Sequence, residues 1–185
     1  LSFFRDHAVI EFGQTGSAGD VDPRLRDTGG VNDHREPRYF EDYVPGLTVD
    51  CGSFTMNEAD IIAFATAYDP QPFHVDPVAA KDGPYGGLIA SGWHTTSMMM
   101  RQLVEHYVSS ESSLGSPGVD EIRWLRPVRP GDTLHVRAVV REARRSGSRP
   151  DRGVIITSAE LTSQDGDLAM RLTAVNFVLL RDPAA

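Results

Sequence analysis

Residues 91–108 read Ser91-Gly92-Trp93-His94-Thr95-Thr96-Ser97-Met98-Met99-Met100-Arg101-Gln102-Leu103-Val104-Glu105-His106-Tyr107-Val108. Thr96, Met99, Met100, Leu103, Val104 and Tyr107 recur at steps of three and four, the period of a helix that turns one side toward a sheet. Ser91 suits the N-cap of that helix. The Met98-Met99-Met100 run reads as core packing rather than as a set of soft ligands.

Downstream of Gly118 the period changes to two. Leu134, Val136, Ala138 and Val140 alternate with His135, Arg137, Val139 and Arg141, which predicts a half-buried strand. Val119–Trp124, Val154–Leu161 and Leu168–Leu180 predict three more, with Asp165-Gly166 as the hairpin turn between the last two. Upstream, Leu47–Phe54 predicts a first strand, and Thr55-Met56-Asn57-Glu58 has the form of a capping box with Thr55 as the cap. The helix that follows runs through Ile61, Ile62, Phe64 and Ala65 to about Tyr68, where Pro70 ends it. Pro77 to Lys81 is read as one helical turn. One strand, helices, then four strands joined by short turns predict an α+β domain: an antiparallel sheet wrapped around one long helix. That order resembles the hot-dog fold, and Pro127-Val128-Arg129-Pro130-Gly131-Asp132 resembles a turn common in hot-dog proteins. No internal repeat is present, so a single hot dog is expected.

A chain of 185 residues suits one well-cored domain. Its hydrophobic content of 40% with 24% charged residues is that of an ordinary globular protein. The longest apolar stretches fall far short of the ~18 residues that span a bilayer, and no basic-then-apolar signal pattern opens the sequence. The sequence starts at Leu1 rather than Met, so further residues upstream are expected. Cys51 is the lone cysteine, which rules out an internal disulfide and fits a cytoplasmic setting. A net charge of −8 argues against nucleic acid as a partner. Residues 1–36 are polar and turn-rich apart from Ala8-Val9-Ile10-Glu11-Phe12, and are read as an N-terminal arm. Arg141, Arg144, Arg145, Arg149 and Arg152 crowd around a predicted hairpin tip at Ser146-Gly147-Ser148. They form either a rim for coenzyme phosphates or a solvated loop.

The chemistry concentrates in Tyr68-Asp69-Pro70-Gln71-Pro72-Phe73-His74-Val75-Asp76-Pro77. Three prolines in eight positions predict a stiff loop that holds side chains at fixed separation. Asp accepts a proton from water and His returns one near neutral pH, so Asp69 and His74 are the candidate catalytic pair. Each alone has a plainer reading, Asp69 as a turn former and His74 as a core residue beside Phe73. Gly92 follows His74 by eighteen residues at a helix start, where unpaired backbone N–H groups of Gly92 and Trp93 would bind developing negative charge. Asp76 and His94 are second-choice participants.

These residues resemble the signature of the MaoC-like dehydratases, or (R)-specific enoyl-CoA hydratases, Asp-x-Asn-Pro-x-His. Asp69, Pro72 and His74 fall on it at the same spacing, and Gln71 stands where the family has Asn. Gly92 matches the family glycine whose N–H binds the thioester carbonyl, while Ser91 replaces a His common before it. The similarity extends from about Tyr39 to Leu180, with residues 37–185 as the hot-dog domain. It implies a hydro-lyase that adds or removes water at a 2-enoyl-CoA/3-hydroxyacyl-CoA thioester. It further implies a homodimer or higher homo-oligomer with the acyl tunnel at the interface. Asp69 and His74 are then catalytic, and Gly92, Gln71, Ser91 and Trp93 bind substrate. No separate cofactor is expected, coenzyme A being part of the substrate, and no metal site or membrane partner. The alternatives are a hot-dog thioesterase, which needs an acid on the long helix where only Glu105 is available, and a non-catalytic acyl-CoA-binding subunit.

Overall fold

The computed structural model describes residues 36–182. The arm proposed for residues 1–36, with its apolar patch at Ala8–Phe12, lies outside the described residues except for Glu36. Five strands are present: β1 (Thr48–Thr55), β2 (Gly118–Trp124), β3 (Thr133–Arg145), β4 (Arg152–Ser163) and β5 (Leu168–Leu179). The helices are α1 (Glu58–Tyr68), α2 (Pro72–Val75) and α3 (Gly92–His106). The strands form one antiparallel sheet in the order β1-β3-β4-β5-β2. α3 packs on the sheet against β1 and β3, completing the hot-dog arrangement.

Two periodicities meet in the core. Met99 and Leu103 of α3 are buried with Leu134, Val136, Ala138 and Val140 of β3, the inward set of the alternation. Met99 is fully enclosed whereas Met100 stands half-exposed, so the methionine run divides between core and surface. The helix comes close to β1 because of a bulge between Asp50 and Ser53. Gly52 occupies the bulge at φ +76, and a Cβ there would lie 3.2 Å from Gln102 Oε1. A side chain at this position would be strained by the positive φ and would crowd the Gln102 side chain of α3.

Two local expectations are corrected. Thr55 does not cap α1: it ends β1, and its hydroxyl bonds Thr133 Oγ1 at 2.8 Å. The cap is Asn57, whose side-chain oxygen accepts from the Asp60 N–H at 2.8 Å. Likewise the proline segment is not loop throughout. Pro72 takes the first position of α2, where a missing N–H costs nothing and a fixed φ is already helical, so Pro72–Val75 forms a single turn. The turn expected from Pro77 is a 3-10 turn at Ala79–Asp82. Among the described residues no helix is long and apolar enough to cross a membrane.

Candidate active site

Asp69 is the residue at which α1 stops, its N–H bonded to Ala65 O at 2.8 Å. Pro70 then redirects the chain, and the α2 turn brings His74 back toward it. His74 Nε2 lies 3.4 Å from Asp69 Oδ2. The His74 ring is buried, and its Nδ1 donates to the Ile89 carbonyl at 2.8 Å. A carbonyl oxygen only accepts, so the Nδ1 proton is held there and Nε2 is the nitrogen left to exchange a proton.

Both oxygens of the Asp69 carboxylate are held. Gln71 Nε2 donates to Oδ1 and Ser91 Oγ donates to Oδ2, each at 2.7 Å. These two bonds, with the neighbouring His74, draw the Asp69 carboxyl below its ordinary value against the opposing effect of burial. Asp69 is therefore an anion at neutral pH.

α3 begins immediately after Ser91, which is fully buried. The Ser91 hydroxyl accepts the Trp93 N–H at 3.2 Å while donating to Asp69, so one hydroxyl ties the carboxylate to the helix start. Of the two N–H groups expected to be open there, that of Trp93 is taken; no acceptor among the described residues takes that of Gly92. Gly92 thus offers an open N–H at the positive end of α3.

His74, Gln71 and Gly92 line a cavity of about 370 Å³ together with Ile89, Ala90, Thr95, Trp124 and Val128. Backbone bonds from Ile89 N–H to Phe73 O (3.0 Å) and from Ala90 N–H to Val128 O (2.8 Å) fasten its walls. An anionic carboxylate, an imidazole and a helix-start N–H are what addition of water next to a polarised carbonyl calls for.

Residues 42–160 match the family described as MaoC like domain, close to two thirds of the chain. The chain belongs to the MaoC-like domain family. It is similar to a MaoC-like dehydratase from Rhodospirillum rubrum at 38% identity and a TM-score of 0.72, covering 78% of this chain and 99% of the other. It is 30% identical over 105 residues to protein MaoC of Klebsiella aerogenes, which covers 56% of this chain, and it spans only 31% of that protein's length. It is 25% identical over 130 residues to 3-hydroxyacyl-thioester dehydratase Z of Mycobacterium tuberculosis, covering 70% of this chain and 85% of the relative.

Within this MaoC-like domain, not every residue singled out from the sequence reaches the cavity. The Trp93 side chain is 57% exposed, lies outside the cavity lining and meets Trp124 edge-on. Ser91 serves Asp69, and neither of the two is on the cavity wall; Asp69 stands behind Gln71 and His74, which are. Asp76 caps the 3-10 turn by accepting from Val78 and Ala79 N–H. His94 points the other way, buried and stacked on Phe64 at 4.7 Å, and burial holds its imidazole below the ordinary value. Glu105, the acid that a thioesterase reading would need, is bonded to Arg101. It lies thirteen residues along α3 from Gly92, roughly 20 Å at about 1.5 Å per residue.

The arginine tip is also displaced from the site. It joins the far ends of β3 and β4, whereas the cavity sits near Ala169 at the start of β5, opposite the other end of β4. Along β4 the separation is roughly 35 Å at about 3.3 Å per residue. Among the described residues the cation on the cavity wall is Arg126, which pairs with Asp167. Trp93, Trp124 and Tyr85 are read from the sequence as bulky candidates for the wall of the acyl tunnel or as plain core; Trp124 and Tyr85 line the cavity and Trp93 does not. Arg126 was not a site candidate by sequence, and its only signal was its place just ahead of the Pro127–Asp132 turn.

Proposed function

We propose that this protein is a hydro-lyase that adds water to, or removes it from, a 2-enoyl/3-hydroxyacyl thioester carried on coenzyme A. One observation carries the reading: His74, paired with Asp69 at 3.4 Å, lines the same cavity as Gly92, whose N–H is open. The thioester oxygen accepts from that N–H, and the positive end of α3 stabilises the enolate that forms as water adds. Water seated between Asp69 Oδ2 and His74 Nε2 loses a proton to Asp69 while its oxygen bonds C3. His74 delivers a proton to C2 from Nε2. Proton passage from Asp69 to His74 across their short separation restores the starting state, and dehydration runs the same steps backward. Gln71 and Ser91 hold the carboxylate in place throughout. No step calls for a separate cofactor.

The assembly is proposed to be a homodimer. Trp93, Met100 and Val104 leave an apolar stripe of α3 exposed, and β2, with Val119 and Trp124 exposed, is an open sheet edge. Open edges and apolar stripes of this kind are covered in stable folds. Light scattering that returns one chain's mass, 20.3 kDa, would refute this pairing.

Incubation with crotonyl-CoA tests the activity. The expected product is 3-hydroxybutyryl-CoA, resolved by chiral chromatography as the (R) form. Release of free coenzyme A would instead identify a thioesterase. An unchanged panel of enoyl-CoA and 3-hydroxyacyl-CoA thioesters, with binding retained, would identify a non-catalytic acyl-CoA-binding subunit.

A further inference from the structure

Gly92 is covered by an aromatic ring. A Cβ on Gly92 would lie 2.6, 2.8 and 2.9 Å from Cε2, Cδ2 and Nε1 of Trp124, so the indole rests directly on the glycine. Nothing smaller than glycine exists, and no other residue leaves room for the ring. The indole is also fixed in place. Its Nε1–H donates to Thr96 Oγ1 at 3.2 Å, Thr96 Oγ1 donates to Gly92 O at 2.8 Å, and Trp93 meets the ring edge-on at 5.3 Å. Trp124 lines the same cavity as His74 and Gly92, so its ring forms one wall of the space beside them. At about 370 Å³ the cavity lies near the lower end of the ~300–1,000 Å³ usual for small-molecule sites. A thioester whose carbonyl reaches the Gly92 N–H must place its acyl group in the space left by that ring.

We propose that Trp124 is the specificity-determining residue of this site and that it restricts the substrate to short acyl thioesters. The inference rests on the hydro-lyase reading for its kinetic test, and on the cavity alone for its binding test. The indole sets both the size limit and the identity of residue 92. A smaller side chain at 124 opens the wall and admits longer chains. Short chains lose the surface that holds them against Gly92. One methylene that fits or misfits a pocket changes kcat/KM by about 10–200-fold, so a few carbons suffice to invert the preference.

The test is a panel of trans-2-enoyl-CoA thioesters from four to ten carbons with the wild-type chain, Trp124→Ala and Trp124→Phe. The wild-type protein is expected to favour the four-carbon substrate over the ten-carbon one by at least ~100-fold. Trp124→Ala is expected to lower the four-carbon kcat/KM and raise the ten-carbon value by at least ~10-fold, with Trp124→Phe between the two. An acyl-length profile that is the same in all three proteins overturns the proposal. So does a wild-type protein that turns over the ten-carbon substrate as well as the four-carbon one. Binding separates this result from failure of the activity itself. Butyryl-CoA and decanoyl-CoA cannot react, and their affinities are read by calorimetry with the same three proteins. Tighter butyryl-CoA binding by the wild type, reversed in Trp124→Ala, supports the size limit even where no turnover is seen; equal affinities in every protein overturn it.

Discussion

Asp69→Asn isolates the acid–base step from the architecture around it. The substitution keeps the shape of the side chain, and both its neighbours adapt. Ser91 Oγ donates to Asp69 Oδ2 and can accept from an amide instead, while Gln71, itself an amide, can present its oxygen or its nitrogen. The exchanged atom matters most at His74. The carboxylate oxygen 3.4 Å from Nε2 accepts from that nitrogen when it carries its proton, and an amide NH₂ in its place cannot. One change thus removes the base and the acceptor that holds the second proton on His74. A positioned general base contributes about 10²–10⁴-fold, or roughly 3–5 kcal/mol of barrier. Hydration of crotonyl-CoA, followed by loss of the enoyl absorbance, is expected to fall by at least ~10² in kcat with KM little changed. Stability is expected to change by about 1 kcal/mol or less, because the hydrogen bonds are exchanged rather than deleted and the carboxylate is partly solvated. For a domain of this size that is a Tm shift of about 2–4 °C. A folded Asp69→Asn protein that retains kcat within tenfold of wild type would refute the mechanism.

Gln71→Leu removes the strongest of the bonds that depress the Asp69 carboxyl, so the acid limb of kcat/KM against pH is expected to move to higher pH. The sign follows from the shift: a carboxylate held low stays ionised to lower pH, and an unmoved limb in a folded variant would show that Asp69 is not the group titrating. Gly92→Ala is expected to dislodge the Trp124 indole, at roughly 1–3 kcal/mol of stability by urea unfolding. Adding Trp124→Ala should recover most of that loss; a double variant no more stable than Gly92→Ala alone would mean that the ring does not dictate the glycine. Ser91→Ala is expected to cost about 1–3 kcal/mol of stability, since it deletes both the α3 cap and a bond to a buried-side carboxylate oxygen, and to lower kcat by holding Asp69 less firmly. Unchanged turnover and unfolding midpoint would remove Ser91 from the site.

The elements visible in the sequence were those whose physics is local. α3 and β2 to β5 follow from periods of 3.6 and 2, and each appears within one or two residues of the expected ends except β3, whose alternation was read to Arg141 and which continues to Arg145. The end of α1 at Tyr68 follows from Pro70. Thr55 misled because two residues near one another both cap well, and the choice between them was made by Thr133, which draws Thr55 into the sheet. Pro72 misled because a proline stops a helix that precedes it but starts one that follows.

The site divides along the same line. The spacing of Asp69, Gln71 and His74 was legible because five residues and a single helical turn set their separation. The Ser91 cap and a wall position for Trp124 were legible too, but the bond from Ser91 to Asp69 and the cover of Trp124 over Gly92 were not. Ser91 acts on a carboxylate 22 residues away, and the Trp124 ring lies over a glycine 32 residues away, across the helix-to-sheet interface. Such contacts depend on the register that sets Trp124 opposite Met170, and on α3 lying close enough for Thr96 to take the indole N–H. The arginine cluster shows the converse. Its local charge was plain, but strand length places the tip at the end of the sheet away from the cavity, so within one chain it lies far from anything bound beside Gly92. A charge cluster is a binding site only when the topology brings it to the chemistry, and here the topology brings Trp124 and Arg126 instead.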